Sequence, residues 1–132
     1  MTFVEIAPLV AGALFIALGI RVSLAESPPL AGRWRYPAAL SAAFLLYSAY
    51  TVSREGPTGF WVEHTRNLWG VQIWFDLLQA ALVGFVLLVP RARAQGLRLV
   101  PWLLAVAATG SIGLMAMVAR VLYLEARTAS GR

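Results

Sequence analysis

A membrane-spanning helix needs about 20 mostly apolar residues, because the hydrocarbon core is roughly 30 Å thick and each helical residue rises about 1.5 Å. Four stretches of this chain come close to that pattern. The first runs from Phe3 to Leu24, with Glu5 near one end and Arg21 near the other. A polar interruption follows, and its Pro28-Pro29 pair cannot continue a helix. The second stretch, 37–53, opens on Pro37, a residue suited to a first helical turn. It ends at Arg54-Glu-Gly-Pro-Thr-Gly59. The third, 67–89, is closed by Pro90, and the basic turn Arg91-Ala-Arg-Ala-Gln-Gly-Leu-Arg98 leads into the fourth, 99–124. The pattern predicts an all-α chain, a four-helix transmembrane bundle forming one domain over residues 1–132.

Composition supports the membrane class. Hydrophobic residues make up 60% of the chain and charged residues only 13%, where soluble domains carry about 25% charged residues. The first stretch ends on Ser23-Leu24-Ala25, which resembles a signal-peptidase site. It lacks the basic n-region of a signal peptide and carries Glu5 instead, so it is read as a retained helix. There is no cysteine, which removes thiolate metal sites and Cys nucleophiles.

The net charge of +5 changes this picture little. All eleven basic residues are Arg, and most flank apolar runs, as anchoring and orientation require. No basic stripe with interleaved aromatics is present, so no nucleic-acid partner is expected; the partner implied is the lipid bilayer. In a four-span arrangement, Arg21, Arg33, Arg35, Arg91, Arg93 and Arg98 share one side. Arg54, Arg66, Arg120, Arg127 and Arg132 share the other. The positive-inside rule then puts loops 1–2 and 3–4 in the cytoplasm of an inner membrane and both termini outside. Six against five also leaves dual insertion open. Arg35-Tyr-Pro37 and Arg98-Leu-Val-Pro101 echo each other as openings of the second and fourth helices, as a two-helix repeat or as generic helix starts.

At 100° per residue, polar and small residues gather on one side of each helix. These faces are Glu5, Pro8, Gly12 and Gly19; Ala43, Tyr47, Tyr50 and Arg54; Trp69, Gln72, Asp76 and Gln79; and Trp102, Ala105, Thr109, Gly113, Ala116 and Arg120. Small and polar faces of this kind pack inside membrane bundles. Asp76 is the most informative position. A carboxylate about 12 Å into a span costs at least about 2.5–3.5 kcal/mol, so it needs a partner or a proton. Arg120, near the matching end of an antiparallel fourth helix, is the expected partner. The expected site is an intramembrane polar cluster of Glu5, Tyr47, Tyr50, Gln72, Asp76 and Arg120. It reads equally as a proton-coupled or ligand-binding site and as a buried ion pair fixing helix register.

Enzymatic chemistry finds no such support. His64 is the only histidine, in Phe60-Trp-Val-Glu-His-Thr-Arg-Asn-Leu-Trp69. One His provides neither bis-His haem ligation nor, with no HExxH spacing, a zinc site. No nucleophile elbow, Walker A or GxGxxG motif occurs, so no catalytic residue, metal or cofactor is assigned. The Trp residues at both ends of this segment mark it as interfacial.

From Asp76-Leu-Leu through the basic turn 91–98, Pro101-Trp102, Gly110, Gly113 and the ending Leu122-Tyr-Leu-Glu-Ala-Arg127, the chain resembles a family of small bacterial membrane proteins of unknown function. Arg120 stands where that family's pattern has an apolar or Pro-containing stretch. The resemblance covers a little under half of the chain; it implies a bacterial multi-pass topology and no activity. The expected role is that of a non-catalytic protein packing with itself or in a membrane complex. The alternative is a small homodimeric transporter or channel with Asp76 as its proton- or cation-responsive group.

Overall fold

A computed structural model describes residues 2–24 and 32–131. The predicted loop with Pro28-Pro29, and Arg132, lie outside the described residues. Within them the chain is all-helical, with α1 (Phe3–Leu24), α2 (Arg35–Glu55), α3 (Gly59–Thr65), α4 (Leu68–Ala94), α5 (Leu99–Thr109) and α6 (Ser111–Ser130). Two of these, α1 and α4, are long and apolar enough to cross a membrane. The four expected segments correspond to six helices among the described residues.

The largest departure is in the fourth predicted segment, which breaks at Gly110. That glycine adopts φ 60 and ψ −124, a conformation a side chain disfavours and glycine accepts without penalty. The chain then reverses into a tight α5–α6 hairpin. A Cβ added at Gly113 would lie 2.7 Å from the carbonyl carbon and oxygen of Ala105, so the two backbones touch where only glycine fits. Thr109 reinforces the corner: its hydroxyl donates to the Ala105 carbonyl at 2.7 Å and accepts the Gly113 N–H at 3.0 Å.

Because of this reversal, α6 runs parallel to α4. Leu114 packs at Gly84, Glu125 pairs with Arg91, and the Thr128 hydroxyl lies 3.3 Å from Gln95 Oε1. α2 runs antiparallel to α6, with the Ser41 hydroxyl donating to the Ile112 carbonyl at 2.9 Å and Trp34 edge-on to Tyr123 at 5.4 Å. The core lies where α4, α5 and α6 meet: Phe85, Leu88, Ala92, Val106, Met117 and Val121. α6 is central, buried at Gly113, Met117, Ala119 and Val121.

The register sets apart two ends. One gathers Arg33 and Arg35 at the start of α2, Arg91 and Arg93 closing α4, Arg98 before α5, and Arg127 in the last turn of α6. The only carboxylate among the described residues there is Glu125. The far end has Arg54 and Arg66 with Glu55 and Glu63. The C-terminal end of α6 thus lies beside the turn after α4, where four spans would have put it on the opposite side.

α1 is different in kind. None of its 22 residues is buried, and it forms no extensive packing with another helix among the described residues. Its N-terminus is locally satisfied, since Glu5 Oε2 accepts the Thr2 N–H at 2.7 Å. That places a carboxylate at the positive end of the helix dipole.

Candidate functional sites

The predicted polar cluster is distributed over four helices, with Arg120 on α6. Asp76 and Gln72 lie exposed on α4, Tyr47 and Tyr50 lie exposed on α2, and Glu5 is at the start of α1. Among the described residues the ion pairs are Arg66–Glu63 and Arg91–Glu125, and neither includes Asp76 or Arg120. Register explains the separation. Arg120 lies between Leu114, level with Gly84, and Glu125, level with Arg91. Asp76 is at least eight residues nearer the far end, about 12 Å along the axis. The pairing expected from an antiparallel fourth helix is not made, because α6 is parallel to α4.

The α4 face itself is as the sequence predicts. Trp69, Gln72, Asp76 and Gln79 are all exposed on one side. The buried residues Phe85, Leu88 and Ala92 centre on the opposite side, about 160–180° away at 100° per residue. The polar stripe therefore looks away from the chain's own core. It also lies beyond the α5–α6 hairpin, in the half of the molecule that the hairpin does not reach.

At the corner of α3 and α4, His64 Nδ1–H donates to the Phe60 carbonyl at 2.7 Å, and its ring packs edge-on against Trp74 at 4.9 Å. Asn67 caps α4 by accepting the Gly70 N–H at 2.9 Å. Both contacts are structural and local. Among the described residues no three His, Asp or Glu side chains come together as metal ligands would.

A second feature emerges only from the fold. An open cleft of about 710 Å³ lies between α2 and the α5–α6 hairpin. Its walls are small or apolar, including Ala38, Ala42, Leu45, Trp102, Ala116 and Ala119. Arg120, Trp34 and Tyr123 also line it. The Arg120 and Arg127 guanidiniums approach the Tyr123 ring at 5.8 and 5.9 Å, and that of Arg35 approaches Trp34 at 5.8 Å. Rings held this way steer cations without neutralising them. Sequence reasoning had Arg120 as the partner of Asp76; it missed Trp34 and Tyr123, which are distant in sequence and adjacent only once α2 and α6 pair. Comparison with protein-family models, curated proteins and solved structures finds no match to this chain.

Proposed function

We propose that this chain is a multi-pass protein of the bacterial inner membrane that works by packing, without catalysis, against a second copy of itself or within a membrane complex. The observation that carries this reading is the α4 polar stripe, exposed and opposite the core face. A lipid-facing carboxylate at Asp76 would cost at least about 2.5–3.5 kcal/mol, and such residues face protein or water instead. A second α4 supplies protein: across a two-fold axis the Gln72 and Gln79 amides of one copy can donate to the Asp76 carboxylate of the other. Cysteine placed at Gln72 or Gln79 in this cysteine-free chain should form disulfide-linked dimers in membranes, and cysteine at Leu78, exposed about 140° around the helix from the centre of the stripe, should not. If neither stripe position cross-links, the homodimer reading fails.

In this reading the two apolar helices α1 and α4 cross the bilayer, the less apolar α2 crosses with one side covered by α6, and the α5–α6 hairpin is re-entrant. The 11 residues of α5 reach about 16 Å, roughly half the hydrocarbon thickness. A turn at that depth is tolerable only when covered by protein, and α6 packs against α2, α4 and α5. The basic end then lies in the cytoplasm, with the N-terminus outside and the C-terminus inside. A C-terminal fluorescent-protein fusion should be bright and an alkaline-phosphatase fusion at the same place inactive. Four full crossings would give the reverse.

A transporter or channel is the second reading, favoured by the absence of a salt-bridge partner for Asp76 among the described residues. Two copies would then bring two carboxylates to one interface. Unchanged transport by Asp76→Asn in proteoliposomes would remove it.

A further inference from the structure

We infer that the cleft between α2 and the α5–α6 hairpin is a binding site for one anionic phospholipid, with its phosphate at Arg120 and an acyl chain along the alanine-walled floor. This rests on the membrane reading above and adds a ligand to it.

The first support is charge. Arg35, Arg120 and Arg127 converge on the Trp34–Tyr123 pair. None forms a salt bridge with a carboxylate among the described residues. Glu125, the carboxylate at this end of α6, lies about 140° around the helix from Arg120 and is held by Arg91 of α4 through two hydrogen bonds at 2.9 and 2.6 Å. It is therefore already satisfied, and the mouth of the cleft keeps its positive charge. Guanidiniums in this state suit a phosphate, which they bind through paired N–H donors.

The second support is shape. Beside Arg120 the cleft is lined by the short side chains of Ala38, Ala42, Ala116 and Ala119 and by Leu45 and Trp102. The Ser41 hydroxyl is already committed to the Ile112 carbonyl, so it asks nothing of the occupant. A long apolar chain fits such a floor, and a hydrated solute does not. The third support is depth: Arg120 and the two rings sit toward the basic end, where Trp and Tyr mark a headgroup region. Cationic pockets between helices at that level are suited to anionic headgroups.

The full chain in neutral detergent should be titrated with brominated phosphatidylglycerol or brominated phosphatidylcholine, following quenching of Trp34 and Trp102. Variants lacking one or the other of these tryptophans assign the signal. Phosphatidylglycerol should bind at least tenfold tighter than phosphatidylcholine. Arg120→Gln should reduce that preference below about threefold, Arg120→Lys should keep part of it, and Arg66→Gln, at the far end, should leave it intact. Equal binding of the two lipids, or an unchanged preference in Arg120→Gln, overturns the proposal. So does rapid disulfide formation between cysteines at Gly12 and Ala42, which would show that α1 fills the cleft. Free inorganic phosphate competing as well as the lipid would also overturn it, since the acyl chain would then contribute nothing. Extraction of the protein from membranes at alkaline pH tests the membrane reading separately, and resistance to extraction with no lipid preference would sink only the lipid site.

Discussion

The half of the molecule at the basic end and the half beyond the hairpin use the same kinds of residue to opposite ends. In the first, α6 is enclosed by α2, α4 and α5, and Met117 and Val121 are fully buried. In the second, α4 presents Trp69, Gln72, Asp76 and Gln79 outward; α1, packed extensively against neither half, buries nothing. The first half is packed within one chain; the second leaves its polar stripe exposed, and on the proposed reading it is neighbours that cover it. Lipid tails are as apolar as leucine, so contact between helices in a membrane is decided by close fit and polar pairing rather than by apolar area. The hairpin supplies the fit and α4 supplies the unmatched polarity.

The sharpest way to break this contrast is at Gly113. Any Cβ there meets backbone atoms at 2.7–2.8 Å, and backbone does not move aside as a side-chain tip does. Gly113→Leu should cost about 3 kcal/mol or more and open the hairpin, read as a large fall in the thermal midpoint in detergent. Gly84→Ala makes a similar approach at 2.8 Å, but to the Leu114 Cδ2 methyl. Its cost should stay under about 1 kcal/mol, because a leucine tip can rotate. Equal losses at the two glycines would mean that the hairpin is not the rigid element.

Truncation of core side chains comes next in size. Met117→Ala should cost about 2 kcal/mol, near the low end for buried Met, because in lipid the cavity term persists while the transfer term shrinks. Phe15→Ala, at a position 78% exposed on α1, should leave the unfolding midpoint unchanged. A matching loss at Phe15 would place α1 in a packed interface and collapse the difference between the halves.

Much of this was legible in the sequence, and the failures have one physical source. Apolar run length placed α1 at 3–24 and set α2 and α4 within a few residues of their observed bounds, because hydropathy and length are what spanning requires. The helical wheel also grouped Gln72, Asp76 and Gln79 correctly on one face. A wheel orders residues around an axis without saying what lies on each side, so it could not show that this face turns away from α6. Nor does hydropathy register backbone torsion. Thr109-Gly110-Ser111 sits inside an apolar run, so run length carries the fourth segment straight through Gly110, which figures in the sequence only among the residues of the family resemblance. Reversing one helix exchanged the partners of Arg120 and moved the C-terminal end to the basic side. The seven-residue α3 is too short to leave a periodic signature and was read as an interfacial segment.

Arg91 and Glu125 tie the packed half together with a smaller energy. Their side chains are 49% and 20% exposed, so screening by solvent discounts the two-point contact to about 1 kcal/mol. A double-mutant cycle with Arg91→Gln and Glu125→Gln should return a coupling of that size. The coupling should weaken with salt if this end is wet. A coupling near zero would leave Gly84–Leu114 and the Thr128–Gln95 contact to hold α4 against α6.

The smallest expected effect separates two explanations of the open half. Gly12 and Gly19 on α1 have nothing within 4 Å of an added Cβ. In water, Gly→Ala in a helix gains roughly 0.5–1 kcal/mol. In a bilayer the helix is already enforced by the need to satisfy every backbone group, so Gly12→Ala and Gly19→Ala should change stability by little or nothing. Gly12→Leu discriminates further. If α1 faces only lipid, the added side chain is indifferent and both the unfolding midpoint and any Gln72→Cys cross-linked dimer stay as they were. If α1 seats against protein through its glycine face, leucine should disrupt that contact while the hairpin half unfolds unchanged. The second outcome would identify α1 as one of the missing neighbours of the open half; the first would leave that role to the α4 stripe of a second copy.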